Sequence, residues 1–238
     1  MSTQTESPAA GQRASKPAFK SAARVQVSFV TRAEKKALAW LAARMPAWVG
    51  SDQLTVLGFV AQLLVGVSYA LARYDRAWLL WAILFLAINW FGDSLDGTLA
   101  RFRNQQRPRY GFYVDHVIDA VGSTALMAGI ALSGYMSPLV ALALLVAFLL
   151  LAIELYLATY TIGTFNLAIF HMGPTEVRIG LACANIAVFV RGPWAHIAGR
   201  TFLAFDVGGV VAVAVMALMF VYAAVKHTAQ LYREEPLP

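Results

Sequence analysis

Four aspartates, Asp93, Asp96, Asp115 and Asp119, fall within the stretch GDSLDGTLARFRNQQRPRYGFYVDHVIDAVG, which lies between two strongly apolar runs. On a helix, Asp93, Asp96, Gly97, Ala100 and Arg101 stand at i, i+3, i+4, i+7 and i+8, so two carboxylates share one face with two small residues and a cation. Asp115 and Asp119, at i and i+4, share a face of the next helix. Nine residues, Pro108 among them, separate Arg101 from Gly111. A connection this short makes the two helices antiparallel neighbours and lets their acidic faces meet at similar depth.

Carboxylates gathered at a membrane boundary cannot all stay ionised without cations among them, because a lone charge in low dielectric is costly and like charges raise each other's pKa. An oxygen-only donor set, without His or Cys, calls for hard divalent ions, Mg²⁺ or Mn²⁺, and four carboxylates can bridge a pair. Two such ions are a recurring device for phosphoryl chemistry, where they bind phosphate oxygens and neutralise developing charge. Gly97 and Ala100 leave room for a substrate beside the acids, and Arg101 supplies a fixed cation for phosphate. A purely structural reading, with Asp–Arg pairs orienting the helices, leaves the small residues on the acidic face unexplained. A cation or small-solute transporter would use the same acids as an ion site but has no need of glycine and alanine at these spacings.

The elements that must hold these residues are membrane helices. Of 238 residues, 59% are hydrophobic and 13% charged. The apolar residues form six runs, 54–73, 77–92, 111–133, 138–162, 175–190 and 206–226, about the ~20 residues that span a bilayer core. Only helices satisfy their own backbone in lipid within one such run. The expected fold is therefore an all-α integral membrane protein with six transmembrane helices over residues 51–238, forming one catalytic domain. Before it, VTRAEKKALAWLAARMPAW places Ala37, Leu41, Ala42 and Met45 on one stripe with Lys35, Lys36 and Arg44 off it, the pattern of an amphipathic helix lying in the interface, assigned to residues 25–50. Residues 1–24 read as a disordered basic tail and not as a signal peptide. The first 46 residues carry eight Lys or Arg against Glu6 and Glu34, which puts the start of the chain in the cytoplasm under the positive-inside rule. Six spans return the carboxyl terminus to that side, with the acidic stretch at the same face. A multi-pass protein of a bacterial inner membrane is expected, with no nucleic-acid partner. The single Cys183 excludes an intrachain disulfide.

The string D-x-x-D-G-x-x-A-R, nine residues, then G-x-x-x-D-x-x-x-D resembles the signature of the CDP-alcohol phosphotransferases, with every signature position filled by Asp93, Asp96, Gly97, Ala100, Arg101, Gly111, Asp115 and Asp119. The resemblance implies transfer of a phosphoryl-alcohol group from a CDP-alcohol to an acceptor hydroxyl, with release of CMP, in phospholipid synthesis. It also implies two divalent cations held by Asp93, Asp96, Asp115 and Asp119, with Asp119 taking the acceptor's proton. Gly97, Ala100, Arg101 and Gly111 would line the CDP site, joined by Thr55 from the segment LTVLG. A homodimer is implied as well.

Family members differ in whether the lipid is donor or acceptor, and the sequence carries hints in both directions. His116 directly follows the third aspartate and GPTEVR contains Glu176, features similar to choline and ethanolamine phosphotransferases, in which the His would be a base and the carboxylate would meet a cationic headgroup. Arg178 instead suits a phosphorylated acceptor. Glu154, two turns inside the fourth apolar run, is a candidate for the substrate cavity or for a pair with an arginine.

Overall fold

A computed structural model describes residues 23–24, 31–165, 173–197 and 199–237. The tail assigned to 1–24 lies outside the described residues except for Ala23–Arg24 (β1), which pairs in parallel with Thr164–Phe165 (β2). The seven helices among the described residues are α1 (Thr31–Arg44), α2 (Ser51–Ala72), α3 (Trp78–Phe102), α4 (Pro108–Ser133), α5 (Pro138–Thr161), α6 (Pro174–Arg191) and α7 (Ala204–Glu234). Between α6 and α7 a short antiparallel hairpin joins β3 (Trp194–Ile197) to β4 (Arg200–Leu203), with Trp194 opposite Leu203.

Five helices, α2, α3, α4, α5 and α7, are long and apolar enough to cross a membrane. The sixth apolar run is also helical, but α6 has 18 residues and carries Glu176, Arg178 and Arg191, so it falls short of the other five on composition. α3 does not stop at the apolar boundary near Gly92. It continues unbroken to Phe102, so the acidic stretch is the end of a span. α4 starts at Pro108, three residues before the expected Gly111, because proline with its fixed φ is well placed in a first helical turn. It ends at Gly134, whose φ of 79° is the left-handed cap that glycine adopts without strain.

α2 packs against both α3 and α4, and close approach depends on missing side chains. A Cβ on Gly92 would lie 2.5 Å from the Gly58 nitrogen, and one on Gly129 would overlap the Gly66 carbonyl. These contacts bring backbones together as small residues do in membrane bundles. The main core, around Val65, Tyr69, Leu79, Leu86, Ile130 and Leu144, occupies the half of the bundle away from α1. A second cluster seats α1: Leu38 and Ala42 pack on Leu54, Leu95 and Leu99. The inward stripe of α1 is thus Leu38, Leu41, Ala42 and Met45, whereas Ala37 is exposed, because the larger leucine gains more by burial. Glu34 fixes the same helix by accepting hydrogen bonds from Trp90 Nε1 at 2.8 Å and Thr175 Oγ1 at 2.6 Å. Arg103 donates to the carbonyls of Met45, Pro46 and Val49, clamping the turn after α1.

Candidate active site

The acidic faces meet as their spacing requires. Asp93 and Asp96 from α3, and Asp115 and Asp119 from α4, line one small open cleft. α2 forms its back wall with Thr55, Gly58, Phe59 and Gln62, while Asn89 and Ile118 complete the sides.

Each carboxylate of α3 has a defined setting. Asp96 is buried, 8% exposed, and its Oδ2 accepts a 2.7 Å hydrogen bond from Thr55 Oγ1. Its Oδ1 accepts from the Gly97 N–H, and its backbone carbonyl accepts from Ser51 Oγ at 3.1 Å. Asp93 is more open and pairs with Arg178, Nη2 to Oδ2 at 2.6 Å. Arg178 also donates from Nε to Asn89 Oδ1 at 2.8 Å, and Asn89 Nδ2 donates to the Gly58 carbonyl at 2.9 Å. The guanidinium is therefore aimed at the cleft by a buried amide, itself held by the α2 backbone.

The donor set suits a hard divalent ion. Four carboxylates face one cleft from two helices, with no sulfur or imidazole among its lining residues. Among the described residues, no three acidic, His or Cys side chains are gathered closely enough to form an ion's coordination sphere. The carboxylates surround a space, and an ion between them would draw them together.

Gly97 and Arg101 flank the outer end of the cleft. A Cβ on Gly97 would lie 3.4 Å from Arg101 Nη1, and the exposed guanidinium accompanies the Thr98 hydroxyl, Nη2 to Oγ1 at 3.2 Å. Ala100 lies one turn further along α3 from Asp96 and Gly97. Gly111 has open space where a side chain would be. Across the same mouth Arg107 pairs with Asp52 and lies over the Tyr110 ring, 4.2 Å from its centre. The Asp52 hydrogen bond pushes the arginine pKa up.

The remaining sequence candidates lie elsewhere. His116 is one residue, or 100°, around α4 from Asp115. Its Nδ1 lies 2.5 Å from the Phe112 carbonyl, and its ring packs 4.1 Å from Phe112 and 4.5 Å from Tyr156, on the α5 side of the helix. Glu176 folds back on its own helix start, where Oε2 accepts the Gly173 N–H at 2.8 Å, a helix-capping role. Among the described residues Glu154 pairs with neither an arginine nor the cleft: its Oε1 lies 2.5 Å from His227 Nδ1, between α5 and α7. Thr55, Arg178 and the four aspartates are brought together; His116, Glu154 and Glu176 are not among the residues lining the cleft.

Sequence reasoning missed Asn89, Gln62 and His227. Asn89 precedes Asp93 by four residues and so extends the acidic stripe of that helix, and Gln62 follows Thr55 by seven, on the same face of its helix. Each invited the ordinary reading of a polar residue in a span, a hydrogen bond between helices. His227 carries no local signal that relates it to Glu154.

Comparison with known proteins agrees with this arrangement. A protein-family model described as CDP-alcohol phosphatidyltransferase matches residues 48–226, most of the chain and all of the cleft. An archaetidylinositol phosphate synthase of Pyrococcus horikoshii is 34% identical over 83 residues, 35% of this chain and 41% of that protein. That match spans less than half of the relative's length. The family match extends from before α2 into the last helix and contains every cleft residue, and the chain belongs to the CDP-alcohol phosphatidyltransferase family.

Proposed function

We propose that this protein is a metal-dependent CDP-alcohol phosphotransferase of phospholipid synthesis, working from a six-span bundle with the cleft mouth and both termini on the cytoplasmic side of a bacterial inner membrane. The observation that carries the reading is the convergence of Asp93, Asp96, Asp115 and Asp119 on one cleft beside a fixed guanidinium. Two divalent cations bound between these carboxylates would neutralise the pyrophosphate oxygens. Asp93, Asp96, Asp115 and Asp119 would hold the cations, and Asp119, the acid furthest along α4, also takes the proton of the acceptor hydroxyl as its oxygen attacks the alcohol-bearing phosphorus. The phosphorus–oxygen bond to the nucleotide breaks, and CMP leaves with the electron pair. The outer end of the cleft, with Gly97, Ala100, Arg101 and Gly111, receives the nucleotide, and Thr55 keeps Asp96 in place for it. A homodimer is the expected assembly.

Within this reading two substrate arrangements stand. The orientation of Arg178 toward the cleft favours a phosphorylated polar acceptor and a CDP-linked lipid donor, in keeping with the inositol phosphate named for the archaeal relative. The reverse, a CDP-linked small alcohol and a lipid acceptor, would use His116 as base, and its setting between Phe112 and Tyr156 gives that role less support.

Purified protein in micelles or nanodiscs, supplied with Mg²⁺ or Mn²⁺ and a panel of CDP-alcohols and acceptors, should release CMP. Asp115→Asn and Asp119→Asn should each lower that rate by about a thousandfold or more, in the range typical of lost catalytic groups. A folded protein that gives no CMP with any pair, and whose melting temperature ignores CDP in the presence of metal, would overturn the assignment and return attention to ion transport.

A further inference from the structure

The three walls of the cleft differ in chemistry. α3 and α4 contribute carboxylates, whereas the α2 wall presents Thr55, Gly58, Phe59 and Gln62 at i, i+3, i+4 and i+7. The Thr55 hydroxyl is engaged with Asp96. Gln62 lies two turns further, about 10 Å along the helix, and brings a carboxamide with two N–H donors and an acceptor oxygen. Gln62 is half-buried and lines the open cleft, where its carboxamide can meet a ligand. The facing helix is cut away to receive it: Gly122 continues the stripe of Asp115, Ile118 and Asp119, and a Cβ there would overlap the Gln62 carboxamide.

Gln62 thus stands at the inner end of the carboxylates, opposite the end flanked by Gly97 and Arg101. On the transfer reading above, which this inference rests on, the nucleotide takes the outer end and the reacting phosphorus lies at the aspartates. The inner end is left for the alcohol side of the reaction. Whether the lipid is donor or acceptor, its glycerol must reach the carboxylates from the bilayer, and in a diacyl lipid the oxygens next to its reacting position belong to acyl esters. The carboxylates of the cleft are acceptors and repel such oxygens, and Gln62 offers donors at that end. We propose that Gln62 is a specificity-determining residue, donating from its carboxamide to the glycerol-ester oxygens of the lipid substrate, with Gly122 as the notch that seats it.

The test combines a change in the protein with a change in the lipid. With the diacyl lipid, Gln62→Leu should raise the lipid KM about fivefold to tenfold, the scale of one hydrogen bond. The KM of the water-soluble substrate and the thermal protection given by CDP with metal should stay within about twofold, since neither uses the Gln62 amide. The dialkyl ether analogue, which lacks the carbonyls, should cost the wild-type protein the same factor and cost Gln62→Leu nothing further, as expected for two halves of one interaction. Gly122→Ala, which pushes the amide from its seat, should behave like Gln62→Leu and covers the case in which the leucine variant misfolds. An ester-to-ether ratio that is the same in wild type and both variants would overturn the proposal and leave Gln62 as packing. Absence of CMP release from wild-type protein with every pair is a different failure: it removes the transfer reading, and this inference with it.

Discussion

Thr55 and Asp96 show how one contact sets the chemistry of the cleft. Asp96 is buried, and without the Thr55 hydroxyl its Oδ2 loses that donor while Oδ1 keeps the Gly97 N–H, a loss that costs more than the net gain of the bond. Thr55→Val should therefore destabilise the protein by about 1–3 kcal/mol, measured by thermal or denaturant unfolding in detergent, whereas Thr55→Ser should be close to neutral. On the activity side, Thr55→Val should raise the metal concentration needed for half-maximal CMP release, because an unheld carboxylate is a poorer ligand. Arg178 tests a different property: its planar fork meets Asn89 and Asp93 together, at 2.8 and 2.6 Å. Arg178→Lys keeps the charge but supplies a single point donor, so it should behave more like Arg178→Gln than like wild type in acceptor KM. The convergence of the four aspartates was legible in the sequence because spacing on a helix dictates a shared face. Glu176, His116 and Glu154 were not, because their partners, the Gly173 amide, the Phe112 carbonyl and His227, depend on backbone course and on contacts between distant helices.

The helices themselves were readable wherever one physical requirement dominates. A run of apolar residues about as long as a bilayer is thick becomes a span, and the four longest runs map onto α2, α4, α5 and α7 with shifts of a few residues. α6 was harder because it carries Glu176, Arg178 and Arg191, so apolar composition understates the helix. The β3–β4 hairpin left no trace in hydropathy, since its four-residue strands rest on local pairing and on Gly199, whose φ of 76° few other residues adopt. Glycines separate the packing elements from the open ones. Gly92→Ala places a methyl 2.5 Å from the Gly58 backbone and must push α2 and α3 apart, which should cost about 1–3 kcal/mol or more and impair CMP release, because Thr55 and Asp96 sit across that same contact. Gly111→Ala meets nothing within 4 Å and should leave the melting temperature within about 1 °C, although a loss of CDP protection is expected if this glycine borders the nucleotide. The two variants, compared by thermal melts with and without CDP, separate glycine used for packing from glycine used for access.

At the scale of the whole molecule, the chain concentrates charge and chemistry at one end. α1, the Arg103 clamp, the Asp52–Arg107 pair and the acidic cleft all lie at the end where α2 begins and α3 finishes, while the hairpin and the α4–α5 turn lie at the other. Glu34 joins α1 to α3 and α6 at the first end, and at the other Asp206 Oδ1 accepts the Ser137 N–H at 2.7 Å, tying α7 to the start of α5. Lys and Arg follow the same division. Only Arg73, Arg76, Arg191 and Arg200 belong to the hairpin end, and the remaining fifteen of nineteen belong to the α1 end or the residues before it. The bias sets the expected orientation, with the cleft facing the cytoplasm, where CDP-linked substrates are water-soluble at their nucleotide end. Cys183 is the only native cysteine, so a Cys183→Ala background permits single-cysteine mapping. In intact cells an impermeant maleimide should label cysteines placed at His196 or Thr201 of the hairpin and spare those at Lys36 or Arg109; in inverted vesicles the pattern should reverse. Labelling of all four positions from one face would mean an even number of crossings between Arg109 and His196, with α6 lying within one leaflet, and would remove the six-span arrangement while leaving the geometry of the cleft intact.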